Sequence, residues 1–163
     1  MRAKLLPIAL LLLAACGGGA AGSGPLLDSG SGEILVPTRL EGMPSHHSGI
    51  ATERRLVIRT RAELEAFWAE LSHPNSFGPV PAVDFHSEML IVAAMGTRPS
   101  GGYRVSVESV ASTGSGYNVV VKSVSPAREC PTLAVITQPI DILRVPVARE
   151  VRFVEQAEVH RCG

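Results

Sequence analysis

Only one stretch of this 163-residue chain carries helical periodicity, and the sequence beyond it is broken into short apolar runs separated by Gly, Pro and Ser. One helix among many strand-length runs constrains the fold more than any other feature. Leu64, Phe67, Trp68 and Leu71 fall at i, i+3, i+4 and i+7, which puts them on one face. Thr60 and Glu63 form a capping box ahead of them: the Thr hydroxyl accepts from a backbone amide, and the Glu carboxylate reaches back. The spacing predicts a helix over 61–72 whose Trp-bearing stripe faces a core. Glu63, Glu65 and Glu70 then lie on its solvated side.

Strands are expected at 34–36, 56–58, 89–95, 103–110, 117–124, 133–136, 140–145 and 150–154. The run 89–95 is almost wholly apolar, which predicts burial on both faces. In 103–110, Tyr103, Val105 and Val107 alternate with Arg104, Ser106 and Glu108, and a turn at 112–116 returns the chain as a hairpin. Loops with prolines fall at 74–81 and 126–131. There is no repeat of fixed period. The expected class is α+β: an antiparallel sheet, meander or sandwich, with the one amphipathic helix packed on it.

Ahead of this domain the chain reads as an address. Arg2 and Lys4 form a positive region, and Leu5 to Ala15 is an apolar run of 11 residues. That is too short for a bilayer span, which needs ~20 residues, and it has signal-peptide proportions. Leu13-Ala14-Ala15-Cys16 is similar to the bacterial lipobox, in which the Cys thiol is lipidated and becomes the mature N-terminus. An ordinary secretory cleavage after Ala15 is the alternative. Residues 17–32 are Gly/Ser-rich, a flexible tether with a reach of roughly 20–25 Å. Gly17, Gly19 and Gly22 spell G-x-G-x-x-G, but with neither a strand before nor a helix after, the motif is discounted. The expected organisation is a signal peptide at 1–15, a lipidated tether at 16–33 and one domain at 34–163. Gly17 after the Cys fits sorting to the outer membrane of a bacterial envelope, with attachment through lipid alone, palmitate included.

With Cys16 lipidated, Cys130 and Cys162 remain as an even pair in an oxidising compartment. A disulfide between them is the favoured reading, worth roughly 3–4 kcal/mol in the chain-entropy picture. Two free thiols or a metal pair are the alternatives. His160 is the only other ligand nearby, which disfavours metal.

Charge and composition narrow the function classes. Without Arg2 and Lys4 the chain has 13 basic against 15 acidic residues, a charge near −2, and aromatics are 4%. Neither favours nucleic acid or an anionic surface. No G-x-S-x-G, H-E-x-x-H, P-loop or C-x-x-C is present, so the expectation is no enzyme and no cofactor. His46-His47 is a weak chelating pair suited to Zn²⁺, which makes a metal- or ligand-binding lipoprotein one alternative. Asp84 and His86 are spaced as a dyad, but the better reading has Asp84 capping a turn and His86 exposed. Arg54, Arg55, Arg59 and Arg61 form a basic cluster that is either solvation or a lure for an acidic partner.

From about residue 50 to 154 the chain resembles the PrcB C-terminal domain family, named after an accessory lipoprotein subunit of a bacterial surface protease complex. The likeness rests on Val57-Ile58, Phe67-Trp68, Val83-Asp84-Phe85, a strand closing in Gly96, Ser100-Gly101-Gly102-Tyr103, Ser125-Pro126, Gln138-Pro139 and Arg144-Val145-Pro146. The resemblance implies an extracytoplasmic domain that supports or binds another protein, a secreted protease among the partners. The expected binding residues are Ser100, Gly101, Gly102, Tyr103, Gln138 and Pro139, with no catalytic or metal site. The glycines allow positive φ and exposed amides, and Tyr103 offers an interface-type contact. The plainer reading is a turn entering a strand, with Tyr103 packed into the sheet. The turn is also similar to the Gly-rich loops of chagasin-like cysteine-protease inhibitors, which makes an inhibitory module the other alternative.

Overall fold

The computed structural model describes residues 32–42, 45–71 and 77–162. The signal peptide, Cys16, the tether up to residue 31 and Ser72 lie outside them. Among the described residues, eight strands and one helix run in the order β1 (Ile34–Leu35), β2 (Thr38–Arg39), β3 (Arg54–Ile58), α1 (Arg61–Leu71), β4 (Glu88–Ala94), β5 (Arg104–Ser112), β6 (Gly116–Pro126), β7 (Ile140–Pro146) and β8 (Glu150–His160). They make two four-stranded sheets, β1-β5-β6-β8 and β2-β7-β4-β3. The class is α+β, a sandwich with the helix outside one sheet.

β4 explains the layering. Its odd residues Met89, Ile91 and Ala93 enter the core between the sheets, with Val107, Val119, Val121 and Leu143. Its even residues Leu90, Val92 and Ala94 meet Leu64, Phe67, Trp68 and Leu71 of the helix. Alternation along a strand thus buries both faces, as the unbroken apolar run demanded. The capping box forms as expected: Glu63 N donates to Thr60 Oγ1 at 3.2 Å, and Glu63 Oε2 accepts from Thr60 N at 3.0 Å and Arg59 N at 2.7 Å. These amides hold the Glu63 carboxyl below its ordinary value, the Arg59 amide contributing most.

Two polar staples cross the sandwich. Asp141 on β7 accepts from the Val107 amide at 2.9 Å, beside a bulge in β5 between Val107 and Ser109, and also holds Arg39 at 3.1 Å. That pairing raises Arg39 above its ordinary value. On the other flank, Arg55 of β3 grips both carboxylate oxygens of Glu155 on β8 at 2.9 Å each.

Three expectations are corrected. The strands do not run as a simple meander: β4 pairs with β3 and β7 rather than with β5. β8 pairs with β6 in parallel, because β7 lies in the opposite sheet and the chain crosses over before returning. Residues 133–136 form no strand. Val135 N donates to Leu133 O at 2.9 Å, a tight turn that no extended strand can make, and Leu133 is 77% exposed.

Candidate functional site

The turn and the late loop singled out by sequence lie side by side. The turn that includes Ser100–Gly102 comes after β4, and the loop 127–139 joins β6 to β7. Backbone bonds run between Arg98 and Thr137 in both directions, at 2.8 and 3.0 Å, and Gly101 N donates to Leu133 O at 2.9 Å. Buried Thr137 donates its hydroxyl to Ser100 O at 3.0 Å. Gly102 takes φ +86°, and a Cβ there would stand 3.3 Å from Pro126 and 3.4 Å from Thr132. The glycine is therefore required both by its backbone and by close packing.

Each of the residues expected to bind also has a local role in the fold. The Gly101 amide is already committed to Leu133, so it does not stand open to another chain. Tyr103 is half-buried and packs against the inter-sheet core. Gln138 and Pro139 splice the sheet: Gln138 O accepts from Ser48 N and Oγ, at 3.1 and 2.9 Å, and Pro139 O accepts from Met95 N at 2.9 Å. What this framework displays is Leu133, Val135 and Ile136, which are 77%, 41% and 61% exposed. Sequence reasoning took them for a strand. Their signal was a four-residue apolar run confined between Pro131 and Pro139, too short and too Pro-bound to join a ladder.

The loop is anchored at its base. Cys130 and Cys162 are joined by a disulfide with Cα atoms 5.4 Å apart, across 32 residues of chain. Ala127 N donates to His160 O beside it. The bridge fixes the loop to the end of β8, so the apolar run is presented from a framework tied at Cys130 and at Thr137.

The other sequence candidates disperse. His46 lines an open groove of about 310 Å³ with Arg104, Lys122 and Glu108, and Lys122 there is already paired with Glu158. No group of three metal-ligating side chains occurs among the described residues. Asp84 does cap its turn, accepting from His86 N at 3.1 Å and Ser87 Oγ at 2.7 Å, and His86 is exposed. The Ser87 hydroxyl and His86 amide lower the Asp84 carboxyl below its ordinary value. The basic cluster is spent internally. Arg54 meets Glu70 at 2.6 Å, Arg55 meets Glu155, Arg61 meets Glu65 at 2.7 Å, and Arg59 donates to the carbonyls of Ala148 and Arg149. Among the described residues no helix is long and apolar enough to cross a membrane.

Residues 89–146, from β4 through β7, match the family model described as PrcB C-terminal, and this supports the resemblance carried by the turn, the Gln138-Pro139 pair and Arg144-Val145-Pro146. No curated protein and no solved structure matches the chain.

Proposed function

We propose, from the premise that residues 89–146 are a PrcB C-terminal match, that this chain is a lipid-anchored bacterial envelope protein. Its domain binds and stabilises a partner protein, and it catalyses no reaction itself. The observation that carries the reading is the apolar run Leu133, Val135 and Ile136, held out in water by a loop tied down at both ends. Burying a Leu, Val or Ile side chain gains about 1.5–3 kcal/mol, and a run already fixed in place gives up little further entropy on docking. The family resemblance makes a secreted protease the partner of choice. The commitment of the Gly101 amide favours a stabilising contact over insertion of a Gly-rich loop into a protease cleft.

The test is capture from native envelopes with the full chain and with a Leu133→Asp/Ile136→Asp variant. The expected result is one dominant partner, held by the natural sequence, lost by the variant, and more resistant to heat when bound. Equal capture by both chains refutes the surface, and dose-dependent loss of a partner protease's activity replaces stabiliser with inhibitor. Anchoring is tested apart: Cys16→Ser should move the protein from the membrane to the soluble fraction, and unchanged fractionation refutes the lipid.

A further inference from the structure

β8 forms one edge of its sheet. Its 11 residues pair with β6, and among the described residues no other strand pairs with it. The ladder is continuous from Glu150 to His160, and the strand contains no Pro or Gly to protect that edge. Two bonds establish which backbone groups face outward. Glu150 N donates to Ser115 O, and His160 O accepts from Ala127 N. Successive residues turn their amide and carbonyl groups to opposite edges, so the even-numbered residues face β6. Val151, Phe153, Glu155, Ala157 and Val159 thus present their N–H and C=O groups to the open side.

We infer that β8 pairs antiparallel with β8 of a second copy, about a two-fold axis at Glu155, fusing two four-stranded sheets into one. Antiparallel pairing must oppose outward-facing residues to outward-facing residues, which excludes every odd slip of register. Among the remaining registers, the one centred on Glu155 uses the whole strand. On the outer face it sets Arg152 against Glu158 of the second copy, Glu150 against His160, and Val154 against Gln156. On the inner face Val151 meets Val159 and Phe153 meets Ala157. Slipping two residues one way opposes Glu150 to Glu158, and slipping the other way opposes Arg152 to His160. Charge complementarity therefore selects a single register. The two Glu155 side chains meet at the axis, and each is already neutralised by the bidentate Arg55 of its own chain. Glu158 keeps its Lys122 partner at 2.6 Å and retains acceptor capacity for an Arg. A closed two-fold contact of this kind uses up the β8 edge of each copy, so this pairing does not itself propagate into fibres.

Sedimentation equilibrium of the full chain in density-matched detergent tests the pairing. The natural sequence should dimerise. Arg152→Glu and Glu158→Arg should each weaken the dimer about tenfold, since each sets like charges opposite one another twice. An equimolar mixture of the two variants should recover tight association, because each then meets its opposite. Ala157→Pro removes an outward amide and spares the ladder to β6, so it should be monomeric with an unchanged circular dichroism spectrum. A chain that stays monomeric, or a dimer that the mixture fails to restore, overturns the inference.

Discussion

Gly102 shows how one residue links the turn to the late loop. At φ +86°, with Pro126 3.3 Å from where a Cβ would stand, Gly102→Ala pays for both backbone strain and crowding. It should lose more than about 1 kcal/mol of unfolding free energy in a denaturant melt. Gly101→Ala should be nearly neutral, because its nearest neighbour would be Leu133 at an ordinary 3.6 Å. A second residue-scale prediction concerns pH. Glu63 has its carboxyl lowered below 4.5 by the Arg59 and Thr60 amides and the Thr60 hydroxyl. A carboxyl lowered on folding adds stability that is fully present above its unfolded value and is lost as pH falls through the folded one. Thermal melts of Glu63→Gln against the natural chain should therefore differ most above pH 4.5 and converge in more acidic solution. The capping box was legible because its chemistry is local, contained in four consecutive residues. The true role of Pro139 was not, because its carbonyl partner, Met95, is remote in sequence.

At the scale of elements, the helix stripe and the β4 run were legible for the same reason: periodicity reports which faces are covered. Leu64 and Leu71 are both fully buried against β4 and its neighbours. Leu64→Ala should cost about 2–5 kcal/mol by chemical denaturation. Strand partners were less legible. Val119 and Val121 announce a strand, but nothing local says that β6 takes β8 as a parallel neighbour. Residues 133–136 misled because an apolar run of four suits a strand or an exposed contact equally, and only the Leu133–Val135 turn decides between them. The disulfide acts on this element. Cys162→Ser should lower stability by roughly 3–4 kcal/mol under oxidising conditions and speed amide exchange through 131–136. Identical exchange in both chains would mean that the bridge does not hold the loop.

At the largest scale, the described residues form a sandwich stapled on both flanks, by Arg55–Glu155 and by Asp141 to Val107, with a helix closing one outer face. The turn and the late loop were both visible in the sequence, but the product of their packing, an exposed apolar run on a tied frame, exists only in three dimensions. The most direct measurement places a photo-crosslinking residue at Leu133 of the full chain in its native envelope, with a second chain carrying it at Val36, exposed on the link between β1 and β2. A single abundant adduct from position 133, identified by mass spectrometry and absent from position 36, is the predicted result. Equal or no adducts at the two positions would contradict the claim that this loop is where the domain meets its partner.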